Sequence, residues 1–522
     1  MKLRFLGHAG WMIEAGTDAI MCDPWFSRYG AYAASWFQFP PNDHIALGEL
    51  EKATHLFISH WHRDHFDERF LSSRSYDFKR RVQVVIAKFR YPKLKQWIEA
   101  CGYGNIIELS RDEIYTTPSG TQLFIQSDEN PLYVDSSITV HADGQTFVNS
   151  NDCKLSIEQE QEIVRRFVCV DGYAAQFSGA TFHPTCYDYP ETKKREISRF
   201  KREAKYKRII DSICRLGARA YFFSAGPPSF LSEDLFHLNC NDASIFSTPL
   251  DFLEYLREQS LSSQTFVVPM PGELYSLNDV PVLHDRSQIE KIFSKEYIRG
   301  YADAHKQEIQ EELERYRLPV GDIMNDAREH FNRLLECVPE LAQKASVALE
   351  VVVEGENGGG FVVDCTACKV RDDMPESPEQ IYVLRISTFW MRAIIEKLIS
   401  WEDMILSFRF QLHREPDIYN EAIIAFLQLE TAQERQEYVE YVDSIRNRRP
   451  ERMCRTVNGK LVEYDRFCPH NGEDLANAVI MDDALVCTRH FWRFSLIDGR
   501  GINNACNIRL IEKENPKPSA AF

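Results

Sequence analysis

The sequence predicts a mixed α/β chain in three parts. These are a layered αββα domain over residues 1–275, a helical and α+β middle region over 276–435, and a small all-β domain over 436–515. Three observations predict it. Up to about residue 270, short β-rich runs alternate with helical stretches at a density that fits two sheets covered by helices. From about 285 to 345 the pattern turns helical and strongly charged, and beyond 436 it returns to strands. The length of 522 residues exceeds what one core serves and fits about three domains.

Taken in order, LRFLGHAGWMIEA and AIMCDPWF read as the first two strands, THLFIS as a third and RVQVVIA as a fourth. TQLFIQ follows, then SSITVHADGQTFVNS, a hairpin turning at Ala142-Asp143-Gly144, and then FVCVDGYAAQFS and ARAYFFSAG. The basic stretch from Lys193 to Arg208 has helical spacing, with Ile197, Phe200, Ile209, Ile210 and Ile213 as its apolar stripe. Its simpler reading is a solvated helix face; the other is a docking patch for an anionic substrate or an acidic redox partner. In the middle region EIQEELERYR and MNDAREHFNRLLECV are helices. SVALEVVVEG and GFVVDCTAC form a hairpin around Gly358-Gly359-Gly360, followed by the strand YVLRIS and the helix FWMRAIIEKLI. The segment from Ser400 resembles the sterol-carrier-like fold only weakly, and the region is expected to be a structural or docking module. The tail ENPKPSAAF is expected to be mobile.

Composition narrows the functions. A formal charge of −17 repels a phosphate backbone, so no nucleic-acid partner is expected. No apolar run approaches a membrane span, and the chain enters strand-like sequence without a signal segment, so a cytoplasmic location is expected. The 14 cysteines are scattered, as buried thiols and metal ligands are rather than disulfide frameworks. Cys365 and Cys368 form a lone C-x-x-C, read as structural.

Near the C-terminus, YDRFCPHNGEDL and ALVCTRHFWRFSLIDG present Cys468-x-His470 and Cys487-x-x-His490. Two thiolates can hold one iron and two imidazoles the other, a mixed ligation that raises the potential to about −150 to +300 mV. A zinc site would use the same residue types, but usually with the cysteines together and the histidines together. The pattern resembles the Rieske family over the last seventy or so residues. It implies a [2Fe–2S] cluster on Cys468, His470, Cys487 and His490.

Near the N-terminus, HWHRDHFD places His60, His62, Asp64 and His65 just past a buried strand. So many desolvated polar groups would be costly without a partner such as a metal. With GHAGWMIEA and DPWF (His8, Asp23, Pro24), these residues resemble the metallo-β-lactamase superfamily over about 250 residues. The resemblance implies a bridging carboxylate at Asp152, in FVNSND. It also implies a third histidine where VDSSITV offers Asp135, and a last histidine near QFSGA, where there is none. His237 is expected to fill that last place in preference to His183, which is read as structural; His141 is expected on a surface turn. The implied ligand sets are His60, His62, Asp135 and Asp152 for one metal, and Asp64, His65, Asp152 and His237 for a second. A carboxylate in place of a histidine suits iron or manganese better than zinc; one or two irons are expected, and catalytic groups beyond the metal ligands are not assigned.

A hydrolase needs only a Lewis-acidic metal, whereas oxygen activation at iron needs electrons delivered singly. DPWF, HWHRDH, VDSSITV, NSND, QFSGA, FHLN and WEDMILSFRFQLHREPDIY are similar to the CMP-N-acetylneuraminate hydroxylase family, in which the Rieske segment is N-terminal rather than C-terminal. The resemblance implies an O2-dependent monooxygenase fed through a ferredoxin, cytochrome or flavin reductase, acting by hydroxylation or N-oxidation on a small polar substrate. The nucleotide sugar is not carried over, because the module order differs. The alternatives are a metal-dependent hydrolase or lactonase with a redox-sensing Rieske domain, and a non-catalytic electron-transfer protein. Homo-oligomer formation is left open.

Overall fold

The computed structural model describes residues 1–128, 130–259, 264–457, 459–504 and 506–513; the tail ENPKPSAAF, expected to be mobile, lies outside them. Two seven-stranded sheets form the N-terminal domain. The first runs, in spatial order, Leu274–Ser276, Lys2–Gly7, Gly10–Ala15, Asp18–Cys22, His55–Phe57, Gln83–Ala87 and Ile106–Leu109. The second runs Thr265–Val267, Ala220–Ser224, Gly172–Gln176, Gln145–Asn151, Ser136–Ala142, Gln122–Ser127 and Ile114–Thr116. Trp11, Ile13, Phe57 and Val85 of one sheet meet Ile138, Phe147, Ala174 and Phe222 of the other in a shared core. Helices cover the outer faces, giving the αββα layering of the metallo-β-lactamase fold.

Strand direction positions the site. Lys2–Gly7, Asp18–Cys22 and His55–Phe57 all run the same way, so His8, Asp23 and the His60–His65 loop leave the sheet at one edge. In the second sheet, the end of Gln145–Asn151 lies beside the start of its antiparallel neighbour Ser136–Ala142, which brings Asp152 and Asp135 to the same edge. Their hairpin turns at Asp143 and Gly144, both at positive φ, as a two-residue turn between twisted strands prefers. His141 is not in that turn: it lies on the strand opposite Thr146, with Nδ1 2.9 Å from the Thr146 hydroxyl.

The middle region contains a five-stranded sheet, ordered Lys369–Arg371, Gly359–Asp364, Ala348–Glu354, Ile381–Ser387 and Gln411–Glu415. The Ala348–Glu354/Gly359–Asp364 hairpin turns over 355–358, earlier than the three-glycine run suggested. Helix Ala432–Arg446 buries Tyr438 and Val439 in this region's core, so the unit continues past residue 435. The same core takes in Trp25, Tyr32, Trp36 and Phe230 of the N-terminal domain, and Cys365 is buried within it. The C-terminal domain has two three-stranded sheets, Arg452–Val457/Lys460–Asp465/Leu510–Lys513 and Val479–Met481/Ala484–Val486/Arg493–Ser495, around Tyr464, Leu485 and Phe494. Among the described residues no helix is long and apolar enough to cross a membrane.

Candidate metal centres and the cavity between them

Just past strand His55–Phe57 the chain tightens, with the His65 and Phe66 amides both bonded to the His62 carbonyl. This folds HWHRDH back on itself. Ligand atoms of His60, His62 and Asp135 cluster together, as do those of His8, Asp64 and His65, and Asp152 groups with His60 and His65 between them. His60 Nε2 lies 3.6 Å from Asp135 Oδ1, and His65 Nε2 lies 3.6 Å from both Asp64 Oδ2 and Asp152 Oδ1. His8 Nε2 is 3.0 Å from Asp64 Oδ2, and Tyr32 donates its hydroxyl to Asp64 Oδ1. Behind this group, Asp23 accepts from the Ser59 amide and hydroxyl at 2.7 Å each and faces His65 Nδ1 at 3.0 Å. Partners of this kind fix ring orientation and tautomer.

Among the described residues, two buried ligand atoms, His65 Nε2 and Asp152 Oδ1, have no hydrogen-bond partner. Such atoms in a native interior call for an explanation, and a shared cation supplies one. The imidazole and carboxylate donor set fits the metal that the fold implies. Burial, together with His65 and His62 beside it, holds His60 well below the usual imidazole range, in the neutral form that ligates metal. Burial and the neighbouring Asp152 push the Asp135 carboxyl up to about 6. Burial opposes protonation of His62, but the Glu402 carboxylate, 3.4 Å from its Nε2, and Asp135 prevail and push it up to about 9.

Glu402 comes from the middle region, on helix Trp401–Leu406. It also accepts from Trp61 Nε1 at 3.2 Å and pairs with Lys93 at 3.3 Å. The middle region therefore forms one wall of the metal site.

In the C-terminal domain Cys468, His470 and Cys487 group together. Cys468 Sγ lies 2.7 Å from His470 Nδ1, and His470 Nε2 lies 2.6 Å from His490 Nδ1. Burial holds both imidazoles well below their usual range, again the ligating form. The remaining His490 nitrogen, Nε2, points out of the domain. It meets the Tyr133 hydroxyl at 2.6 Å and Glu421 Oε2 at 3.1 Å. Tyr133 in turn donates to Glu421 at 3.4 Å.

A cavity of about 540 Å³ joins the two centres: His62, Asp135 and Asp152 line it at one end, and Thr488, Arg489 and His490 at the other. Its side wall includes the long helix Glu191–Leu216. Ile209 and Ile213 of that helix's expected stripe are buried in the N-terminal domain, while Phe200 packs against Val479 and Val486 of the C-terminal domain.

Of the residues expected at the N-terminal site, the structure brings together His60, His62, Asp64, His65, Asp135 and Asp152. His237 does not join them. It is exposed on a short turn, Phe236–Leu238, with Nδ1 3.0 Å from the Asp234 carbonyl, and His8 lies beside Asp64 and His65 instead. His183 lies in the cavity wall against Arg414 and Tyr189. His8 stands in the GHAGWMIEA motif, but sequence reasoning does not mark it as a ligand. Nor does it mark Asp23 as an orienting group, or Tyr133 and Glu402, for which local sequence holds no signal.

Residues 440–512 match the Rieske [2Fe-2S] domain family, and residues 2–121 match the family described as beta-lactamase superfamily domain. The chain thus joins a β-lactamase-fold domain with a metal-ligand cluster to a Rieske domain with its [2Fe–2S] ligands. Along nearly its whole length it is similar to a Mycobacterium tuberculosis protein provisionally named as a Rieske 2Fe-2S iron-sulfur protein: 28% identity over 521 residues, covering 96% of this chain and 97% of that one. It is also similar to the cytidine monophosphate-N-acetylneuraminic acid hydroxylase of Danio rerio, with 21% identity over 447 residues, 80% of this chain and 70% of that one. A UPF0173 metal-dependent hydrolase of Paracoccus denitrificans matches 31% of this chain and 66% of its own length, at 24% identity.

Proposed function

We propose that the chain is an O2-dependent, Rieske-fed non-haem iron monooxygenase that hydroxylates or N-oxidises a small polar substrate. The observation that carries this reading is the link from His490 to Tyr133, 2.6 Å across, because Tyr133 is two residues from Asp135 of the metal group. A cluster ligand and a metal-site ligand are thereby connected within one chain. His60, His62, Asp135 and Asp152 would hold one iron, and His8, Asp64, His65 and Asp152 a second. Iron bound there supplies oxygen activation, and the cluster supplies electrons one at a time. The chain's own residues orient and enclose. Asp23 and Ser59 fix the ligand rings, Glu402 holds His62, and residues of all three domains line the cavity. Electrons come from a ferredoxin, cytochrome or flavin reductase, and the location is cytoplasmic.

The hydrolase reading has one observation in its favour, the similarity of 31% of the chain to a metal-dependent hydrolase. Metal identity separates the two. A Cys468→Ser/Cys487→Ser variant, purified anaerobically, loses the cluster's irons, so the metal left on the folded chain belongs to the HWHRDH site. Iron at one or two per chain is expected. Zinc with no iron would overturn the oxygenase reading in favour of the hydrolase.

A further inference from the structure

The basic segment that reads most simply as a solvated helix face does something else in the structure. Lys201, Lys205 and Arg208 follow one another at four- and three-residue spacing, so they share one face of helix Glu191–Leu216, and that face lines the cavity between the two centres. Lys154, just past strand Gln145–Asn151, also lines the cavity. The long basic side chains on the helix's other faces reach solvent and find acidic partners, as Arg195 does with Asp242. Lys193, which also lines the cavity, pairs with Asp417, whereas the other three bond neutral oxygens. Lys201 donates to the His183 carbonyl at 2.9 Å, Lys205 to Gln176 Oε1 and the Ser178 carbonyl, and Arg208 to the Leu155 carbonyl at 3.0 Å.

The nearby carboxylates are engaged elsewhere. Glu160 pairs with Arg215, Asp417 with Arg414 and Lys193, and Asp128 and Glu473 with Arg489. Asp135 and Asp152 belong to the metal group, and Glu196 is exposed at the rim. Among the described residues these four basic side chains thus share one cavity with no carboxylate in salt-bridge contact with them, an arrangement that costs stability unless a ligand supplies the negative charge. Burial also pushes Lys201 and Lys205 down to about 7, so an anion bound beside them would be needed to hold both fully charged at neutral pH.

We propose that this cavity binds an anionic substrate carrying at least two negative charges, held by Lys154, Lys201, Lys205 and Arg208 between the metal group and His490. The grip is on the charged end of the molecule, which leaves its reacting end toward His62 and Asp135. Calling the anion a substrate rests on the oxygenase reading above; its binding does not, and is measured without turnover.

The test is calorimetric titration of the anaerobic, metal-loaded full chain with sulfate, a dianion at every relevant pH, at ionic strength held constant with chloride. Saturable binding is expected in the wild type. A Lys201→Met/Lys205→Met variant should bind at least roughly tenfold more weakly, since removing even one charge-assisted hydrogen bond has that order of effect. Lys201→Arg/Lys205→Arg keeps the charge and should retain affinity, which separates loss of charge from loss of structure. No saturable binding by the wild type, or equal affinity in the Met variant, would overturn the proposal. Equal affinity would place the anion on the metals alone.

Discussion

Replacing Tyr133 with Phe removes one oxygen and leaves the ring in place. When the cluster is held through Nδ1 of His490, the other nitrogen carries a proton and donates to the Tyr133 oxygen, 2.6 Å away, while the Tyr133 hydroxyl donates onward to Glu421 at 3.4 Å. The oxidised cluster draws more electron density from the imidazole, so this N–H is the stronger donor in that state. Loss of the nearer of its two acceptors, Glu421 Oε2 at 3.1 Å being the one that stays, therefore destabilises the oxidised form more than the reduced form, and the potential rises. A hydrogen bond of this kind is worth about 1 kcal/mol net. If most of that difference lies between the two redox states, the shift is about 40 mV, from ~59 mV per ~1.4 kcal/mol for one electron. A potentiometric titration followed by the cluster's electron paramagnetic resonance signal reads it directly, and the iron count shows that both sites stay loaded. A potential that falls, or moves by less than about 10 mV, would refute the hydrogen bond and with it the link between the centres.

Three further outcomes follow from the same geometry. His8→Ala should remove the metal held with Asp64 and His65 while sparing the one at His60, His62 and Asp135, so the metal content of a cluster-free chain falls by about half; unchanged content would put His8 outside the ligand set. Asp23→Asn weakens the acceptor that orients Ser59 and His65, and should lower metal affinity by roughly 10- to 100-fold in a chelator competition. Sulfate affinity should fall as pH rises. Burial, with Arg414, Lys154 and Arg208 around them, lowers Lys201 and Lys205 to about 7, against the opposing pull of Asp152 and Asp135 on Lys205. Both ammonium groups are present below that value and lost above it, a bound anion moving the loss upward to about pH 7–9; affinity flat across that range would contradict it.

Local patterns made much of the site legible. The ligands in HWHRDH, C-x-H and C-x-x-H are neighbours in the chain, so spacing alone places them together. Asp135 and Asp152 flank the two strands of one hairpin, whose alternation and turn were visible. His8 was not legible as a ligand. It reaches Asp64 only because the strands ending at Gly7 and Phe57 run in the same direction within one sheet, and sheet order leaves no mark on a local window. Counting down the chain to a later strand led instead to His237, whose turn faces outward. The basic helix shows the same limit. Its periodicity says that Lys201, Lys205 and Arg208 share a face, but what that face meets depends on where the Rieske domain docks. Glu402 and Tyr133 act across domain boundaries, and residue 435 was too early a boundary because Tyr438 and Val439 belong to the preceding core.

The central claim is that the two centres work as one oxygen-activating unit. It is tested most directly by reducing the chain anaerobically, mixing it with O2, and following re-oxidation of the cluster by its visible absorbance in the wild type and in a His60→Ala/Asp135→Ala variant that keeps the cluster. The account predicts re-oxidation at least about tenfold slower in the variant, the equivalent of ~1.4 kcal/mol in barrier. Equal rates would mean that the cluster loses its electron to O2 without the second site, and would contradict it.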